Sequence, residues 1–311
     1  MSFSRPSRDA LVATARESIA RGSKSFGLAS KLFDRTTRER AWLLYAWCRA
    51  CDDLADGQDH GGALSAVGDP AARIAAIRTL TRQALNGEWV GEASFDGLRV
   101  LTDETYIPRE LIEDHIAGFA LDAEGWRPGT EADLIRYCYH VAGTVGRMMA
   151  LVMGVSPDDA DTLERAEHLG LAFQLANIAR DVREDAEGGR CYLPAEWLEE
   201  HHIRSFRAKS RNAGAADGGF STALEANGER GAIATLTRHL ADLAAGYESS
   251  ARVGARRLPF RSRWAVLAAA GIYGDIAREV ARRGEAALDS RVVTSKSAKL
   301  GWVVRAFRQA L

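Results

Sequence analysis

Apolar residues recur at every third or fourth position along most of the chain, with polar residues between them. This is the period of an amphipathic α-helix. No segment shows a sustained alternation of β-branched residues, so no sheet is predicted and the predicted fold class is all-α. The predicted helices span residues 9–31 (with a break near Gly22), 35–56, 72–87, 108–122, 133–155, 157–187, 195–201, 232–254, 262–283 and 295–311.

Three segments lack this periodicity. Residues 57–72 are rich in glycine and contain a proline, and residues 188–194 follow a predicted helix, so both are predicted loops. Residues 209–231 are rich in Gly, Ala, Ser and Asn. We interpret most of this last segment as a mobile surface loop rather than a linker, so residues 1–311 are predicted to form a single domain.

One predicted helix, within residues 172–193, carries a narrow polar stripe. Gln174, Asn177, Asp181 and Asp185 are spaced by three, four and four residues, so their side chains share one face. The other faces of this segment are largely apolar. A polar stripe among apolar faces is the reverse of an ordinary surface helix and indicates a core helix that faces an internal polar site.

The carboxylates of Asp181 and Asp185 would lie roughly 6 Å apart, and two bare carboxylates at that spacing repel each other. A bound divalent cation would reverse the sign, and hard oxygen ligands suit Mg²⁺. The alternative is a solvated acidic helix end, because charged residues also lie between the two aspartates.

Residues 41–56 repeat the pattern in a second predicted helix. Its polar positions at helical spacing are Tyr45, Arg49, Asp52 or Asp53, and Asp56. Two such helices facing each other would form a carboxylate-lined mouth for Mg²⁺ ions and a diphosphate. This pairing favours a functional site over two unrelated acidic helix ends.

Composition excludes several classes of protein. The formal net charge of the 311 residues is -1, which does not favour nucleic acid as a partner. No secretory h-region and no run of about 18 apolar residues are found, so we expect neither a signal peptide nor a transmembrane helix. Four cysteines fit a reducing cytoplasm. The C-x-x-C pair Cys48 and Cys51 lies inside a helical pattern, which favours packing over redox or zinc chemistry.

Small residues cluster in the predicted helix over 133–155, where they are unfavourable for helix formation. They are Ala142, Gly143, Gly146 and Ala150. Two explanations remain open at this point: a long ligand passes close to the backbone, or a neighbouring helix packs tightly there.

Four segments resemble the squalene/phytoene synthase family, and the resemblance extends from Gly22 to about Lys299. They are GSKSF (22–26), LYAWCRACDDLAD (44–56), YCYHVAGTVG (137–146) and LGLAFQLANIARDVREDAEGGRCYLP (169–194). The resemblance implies an isoprenoid synthase helical bundle with a central active-site cavity. It also implies Mg²⁺ as cofactor, with Mn²⁺ as a possible substitute, and no NADPH.

The resemblance also implies roles for individual residues. The metal-binding positions are Asp52, Asp53, Asp56, Asn177, Asp181 and Asp185. The catalytic positions are Tyr45, Arg49, Tyr137, Arg180 and Arg190, of which the arginines contact diphosphate. Substrate-binding positions also include Ser25, Phe26, Val141, Gly146, Gln174, Asn177, Tyr273 and Arg291. The sequence DVRED departs from the commoner DI-x-x-D, but both metal-binding aspartates remain.

The implied activity is head-to-head condensation of two geranylgeranyl diphosphates, through a cyclopropyl diphosphate, to phytoene. The nearest alternative is squalene or dehydrosqualene synthesis from farnesyl diphosphate. A terpene cyclase that uses one diphosphate, and a helical assembly subunit without catalysis, are more distant alternatives.

Phytoene is too apolar to leave into water, so we expect a cytoplasmic protein with peripheral contact to lipid at the inner membrane face. Neighbouring carotenoid enzymes, such as a phytoene desaturase, are expected partners. Trp302, Val303 and Val304, beside Lys299 and Arg305, form one candidate contact patch. The alternative for this patch is a core-facing C-terminal helix.

Overall fold

The computed structural model describes residues 5–57, 69–206 and 228–311. Most of the predicted loops at 57–72 and 209–231 lies outside the described residues. The described residues contain helices and no strand. The α-helices are α1 (Arg8–Gly22), α2 (Lys24–Ser30), α3 (Arg35–Asp56), α4 (Pro70–Leu85), α5 (Ala93–Glu104), α6 (Arg109–Ala123), α7 (Glu131–Cys138), α8 (Thr144–Val152), α9 (Ala160–Glu187), α10 (Ala195–Glu200), α11 (Arg230–Ala255), α12 (Phe260–Arg283) and α13 (Lys296–Ala310).

Helix α3 has clear start and stop signals. The side chain of Asp34 accepts a hydrogen bond from the backbone N–H of Thr37 at 3.0 Å, which caps the first turn. Gly57, with φ of 67°, ends the helix in the left-handed region that glycine tolerates best. These local signals explain why the predicted bounds of this helix agree with the structure.

Two apolar clusters meet across the centre of the bundle. Helices α1, α3, α4, α5, α6 and α8 supply most of one cluster, in which Trp47 is completely buried. Helices α7, α9, α11 and α12 supply most of the other. Helix α9 packs against both α8 and α11, so it lies between the two clusters. This position confirms that α9 is a core helix.

The predicted helix over 133–155 is interrupted. Residues Tyr139–Gly143 form a π-helical turn between α7 and α8. The hydroxyl of Thr144 donates to the carbonyl of His140 at 2.7 Å, just after this turn. A π-helical turn inserts an extra residue into the helix, and periodicity alone cannot reveal it.

Helix α5 was not predicted. Phe95, Leu98 and Leu101 are buried on its inner face at intervals of three residues, which is a helical signal that the sequence does contain. Gly97 lies inside α5, and no side chain caps the first turn of this helix. The weak local signal explains the omission.

Helix α13 only partly fits the predicted membrane patch. Trp302 lies so close to α12 that a Cβ on Gly271 would be 2.1 Å from its ring. The indole N–H of Trp302 donates to Asp275, and Val303 packs beside Ala306 in a small apolar cluster. These two residues therefore face the protein, as in the alternative interpretation, whereas Val304 is 52% exposed. No described helix is both long and apolar enough to cross a bilayer.

Candidate active site

The two acidic helix ends meet in the fold. Arg190, in the loop after α9, donates a hydrogen bond of 2.6 Å to the carboxylate of Asp56 at the end of α3. These residues are 134 positions apart in the chain. The stripes that begin at Tyr45 on α3 and at Gln174 on α9 therefore end beside each other, at one end of the bundle.

Arg49 organises the acidic residues of α3. Its guanidinium contacts Asp52 at 3.0 Å and Asp53 at 2.5 Å. Burial raises the pKa of Asp52 to about 6, and the negative charges of Asp56 and Asp53 act in the same direction, against Arg49. A further cation beside Asp52 would therefore stabilise its charged form.

Asp181 on α9 is held by two arginines. Arg180 binds both of its oxygens from the adjacent position. Arg291 adds a bidentate pair of hydrogen bonds of 2.8 and 2.9 Å. Burial raises the pKa of Asp181, but the hydrogen bonds from Arg180 and Arg291 outweigh it, so the pKa lies below its ordinary value. Arg291 is thus brought to the site from beyond α12.

Asp185 lies one turn further along α9 in a different environment. Among the described residues, no side chain forms an ion pair or hydrogen bond with its carboxylate. Burial and the nearby charge of Asp181 raise its pKa to about 7, against the charge of Arg190. A half-buried carboxylate that has no direct ion pair is unfavourable when charged, and a divalent cation would stabilise its charged form.

This donor set fits a cation shared with a phosphate ligand. Among the described residues, no three acidic, His or Cys side chains converge into a ready-made metal cage. Mg²⁺ is usually held by only one or two carboxylates together with substrate phosphates and water. Asp52 and Asp185, with raised pKa values, and Asn177 on the same stripe are oxygen donors of this kind.

The predicted site residue Tyr137 forms a network with Tyr192 and the half-buried Asp122, which were not predicted. The hydroxyls of Tyr137 and Tyr192 donate to Asp122 at 2.9 and 2.8 Å. Their rings stack at 4.9 Å, and Trp126 stacks on Tyr137 at 5.5 Å. Burial raises the pKa of Asp122, although both tyrosine hydroxyls and Arg190 oppose this. In the sequence, Asp122 is the last residue of a predicted helix and Tyr192 lies in the family-like segment 169–194. These weak signals do not distinguish either residue from its neighbours.

An apolar cavity of about 270 Å³ begins about one helical turn before the charged residues of α3 and α9. The predicted substrate-binding residues that line it are Phe26, Val141, Gly146 and Tyr273, and the predicted catalytic residue Tyr45 lines it as well. Tyr45 precedes Arg49 by one helical turn, and Phe173, which also lines the cavity, precedes Asn177 by one turn. Both helices therefore run from the cavity wall to the charged mouth.

Aromatic rings crowd the wall near this mouth. Phe26 lies 5.8 Å from Tyr45, and Phe173 stacks on Tyr273 at 4.1 Å. Burial raises the pKa of Tyr45 to about 12, so its phenol is neutral near pH 7. These uncharged rings form part of the surface around whatever occupies the cavity.

The structure does not gather every predicted residue. Ser25 is half-buried but does not line the cavity, whereas Ser23 does. The hydroxyl of Ser23 accepts a hydrogen bond from the backbone N–H of Phe26 at 3.2 Å and so caps α2. Gln174 lies on the polar stripe of α9 and is also half-buried.

Tight helix packing explains the small residues in and beside α8, and close passage of a ligand stays a prediction. A Cβ on Gly146 would lie 2.1 Å from the carbonyl oxygen of Ala166 on α9, and one on Gly170 would lie 2.1 Å from that of Ala142. The helices therefore pack backbone to backbone. Ala142, Gly146 and Ala150 also line the cavity, so the close packing shapes the wall that a ligand would contact.

Comparisons with known proteins agree with this geometry. The squalene/phytoene synthase family matches residues 19–298. A phytoene synthase from Pseudescherichia vulneris is 41% identical over 98% of the chain and 94% of its own length. A 15-cis-phytoene synthase from Paracoccus sp. is 43% identical over 94% of the chain and 89% of its own length.

The fold also matches solved structures. A dehydrosqualene synthase in complex with ligand superposes with a TM-score of 0.78 at 25% identity, over 96% of both chains. A squalene synthase from Alicyclobacillus acidocaldarius gives a TM-score of 0.72 at 21% identity, over 89% of this chain and 95% of its own. The predicted all-α isoprenoid synthase fold is confirmed.

Proposed function

The chain belongs to the squalene/phytoene synthase family, and from this premise we propose that it is a phytoene synthase. It condenses two geranylgeranyl diphosphates head to head, through a cyclopropyl diphosphate, to phytoene with release of two diphosphates. One structural observation carries the proposal: two acidic helix ends converge at an apolar, aromatic-lined cavity. A diphosphate needs the first feature, and a long isoprenoid tail needs the second.

Dehydrosqualene or squalene synthesis is the second candidate, because the compared solved structures are enzymes of those names. Fold similarity at 21–25% identity does not separate products. The named phytoene synthases reach 41–43% identity over nearly the full chain. Sequence similarity therefore favours the longer substrate.

Mg²⁺ is the cofactor that we propose, with Mn²⁺ as a possible substitute and no reductant. Asp52, Asp56, Asp181 and Asp185 would hold it, with Asp53 and Asn177 as further oxygen donors. When bound, it would supply Lewis-acid neutralisation of the diphosphate and so make a better leaving group.

The arginines at the mouth take up the charge that develops on the departing diphosphate. Arg49, Arg180 and Arg190 each present a planar fork that suits phosphate oxygens. Arg49 already contacts Asp52, Arg180 contacts Asp181, and Arg190 contacts Asp56. This arrangement fixes the guanidinium groups before substrate binds, which is the preorganisation that electrostatic stabilisation requires.

The cavity wall protects the allylic cation left behind. Its lining is almost entirely apolar, so little water is available to convert the cation into an alcohol. The faces of Phe26, Tyr45 and Tyr273 can stabilise positive charge by about 1–2 kcal/mol each when desolvated. The double bond of the second molecule then adds to the cation, and loss of a proton closes the ring of the cyclopropyl diphosphate. Ionisation of this second diphosphate, rearrangement and loss of a second proton give phytoene.

We also propose that the enzyme works against the inner membrane face, since its product dissolves only in lipid. A phytoene desaturase is the partner class that would consume this product. Both proposals follow from the chemistry of phytoene.

Product identification tests the function directly. Purified protein is incubated with Mg²⁺ and either geranylgeranyl or farnesyl diphosphate, with and without NADPH. We expect phytoene from the C20 substrate without reductant. Dehydrosqualene from the C15 substrate, or squalene that needs NADPH, would replace the proposal by the second candidate, and a product from one diphosphate would indicate a terpene cyclase.

A further inference from the structure

Helix α13 presents an apolar stripe to solvent. Leu300, Val304, Phe307 and Leu311 are spaced by four, three and four residues, so they lie on one face. Their exposed fractions are 62%, 52%, 39% and 82%. Scattered exposed apolar residues are ordinary, but a continuous stripe on one helix marks an interaction surface. We call these four residues the α13 face.

The opposite side of α13 holds the helix in place. Ala306 and Ala310 are buried against α12, and Trp302 is bonded to Asp275. Three arginines, on α11, α12 and α13, also lie 5.0–5.7 Å from the Trp302 ring. The helix is therefore already fixed by its inner side, and most of the α13 face is not needed to build the core.

The charged residues of α13 itself have one sign. Residues 295–311, which comprise this helix and its ends, contain four cationic residues (Lys296, Lys299, Arg305 and Arg308) and no acidic residue. The whole chain has a net charge of -1, so this segment is strongly basic within a slightly acidic protein. An apolar stripe flanked by Lys and Arg is the composition of helices that lie in the interface of an anionic bilayer.

The same region adjoins the cavity wall. Helix α13 packs on α12, and Val266, Ala269 and Tyr273 of α12 line the cavity. Lys299 lies close to Lys24 of α2, and Phe26 and Ala29 of α2 also line the cavity. A surface bound at α13 would therefore lie beside two of the helices that line the cavity.

We propose that the α13 face and its flanking cations dock the protein on an anionic lipid bilayer. The apolar residues insert at the headgroup boundary, and Lys296 and Arg308 contact the lipid phosphates. The purpose of this docking, transfer of an apolar product, rests on the proposed function. The docking itself rests on the surface, and the two are tested separately.

Sedimentation with vesicles tests the docking. Full-length protein is mixed with vesicles of neutral phosphatidylcholine, with or without anionic phosphatidylglycerol. We expect partitioning into the anionic vesicles that weakens at high salt. Leu300→Gln with Val304→Gln should lower the partition constant about tenfold, because both side chains lose the ability to insert. Lys296→Glu with Arg308→Glu should lower it by about 25-fold or more, at about fivefold for each lost charge.

Matched controls use the same changes elsewhere. Tyr106 is 67% exposed and Arg78 is exposed on α4. Tyr106→Gln and Arg78→Glu should leave the partition constant unchanged. Turnover of soluble prenyl diphosphates in detergent should be unchanged in all four variants, which separates loss of docking from loss of the proposed function.

Three results would overturn the docking. Wild-type protein that does not bind anionic vesicles would contradict the proposed docking. Variants of the α13 face that bind as well as wild type would also contradict it. A wild-type dimer in solution that the Leu300/Val304 variant converts to a monomer would assign the face to a second copy of the chain instead.

Discussion

The acidic ends of α3 and α9 share the same D-x-x-x-D spacing but differ in their counter-charges. On α3, Asp52 contacts Arg49 and Asp56 contacts Arg190. On α9, Asp181 is held by two arginines, whereas Asp185 has no ion-pair partner among the described residues. Both nearby arginines of α9 and the following chain, Arg180 and Arg291, bind Asp181, so Asp185 gains no direct ion pair from them.

This difference shows that the spacing of two carboxylates and the ionisation of each one have different physical causes. Spacing places two carboxylates on one helix face, but the neighbours decide whether each is charged without metal. The pKa of Asp181 is lowered, while burial and Asp181 raise that of Asp185 to about 7. We therefore expect Asp185 to respond most to a metal, and the predictions below test this asymmetry from the largest effect to the smallest.

Asp185→Asn should cause the largest loss. Removing the carboxylate with no counter-charge removes a metal donor, and metal Lewis acidity is worth several kcal/mol, so we expect turnover to fall by about 10³-fold. The rise in melting temperature with Mg²⁺ and a diphosphate should also disappear. Glu184→Gln, at the exposed neighbouring position, is the matched control and should change neither readout. Near-wild-type turnover in Asp185→Asn would refute the metal assignment.

Arg190→Gln should break the link between the two ends. The side chain joins the loop after α9 to Asp56 on α3. Losing a preorganised donor to the departing diphosphate should lower turnover by about 10²-fold. Arg190→Lys keeps the charge without the fork and should retain intermediate activity. Equal activity of the Lys variant and the wild type would show that the fork geometry is unimportant.

Arg291→Gln should change the competition between arginine and Mg²⁺ for the carboxylate of Asp181. The variant would lose one of the two arginines that neutralise this carboxylate, so Mg²⁺ should bind more tightly. We expect a change of about fivefold, which corresponds to the upper range for a solvent-exposed ion pair. The KM for the prenyl diphosphate should rise if the same guanidinium also contacts substrate. Calorimetric Mg²⁺ titration and steady-state kinetics separate the two effects. Weaker Mg²⁺ binding would contradict the competition.

The smallest effect is a pH dependence of the metal-free protein. A carboxyl whose pKa is raised on folding stabilises the fold at low pH, and this contribution is lost as pH rises through the folded pKa. For Asp185, with a pKa of about 7, the melting temperature should therefore fall by a few degrees from about pH 6 to about pH 8. Mg²⁺ should reverse this fall.

Asp185→Asn supplies the matched control for this measurement. Its profile should be flatter than that of wild type over the same window, because only the titrating carboxyl is removed. The buried His115, with a pKa lowered by burial to about 4, has the opposite slope, but it acts mainly below its ordinary pKa of 6.5. Identical profiles for wild type and variant would show that Asp185 does not titrate there.

Most helices could be predicted from the sequence, because a helix depends on residues three or four positions apart. The cap at Asp34 and the stop at Gly57 fixed the bounds of α3. Helix α5 and the π-helical turn at Tyr139–Gly143 were missed, since one has weak caps and the other shifts the period by a single residue.

The candidate site also combines features that depend on local sequence with features that depend on tertiary contacts. The sequence by itself determined that Asp52, Asp56, Asp181 and Asp185 lie on helix faces at metal-binding spacing, because that spacing is local. Only the tertiary structure decided that Arg190 reaches Asp56, that Arg291 reaches Asp181 and that Tyr137 and Tyr192 share Asp122. The physical reason is that ionisation depends on burial and on charges within a few ångströms, and most of these charges come from distant parts of the chain.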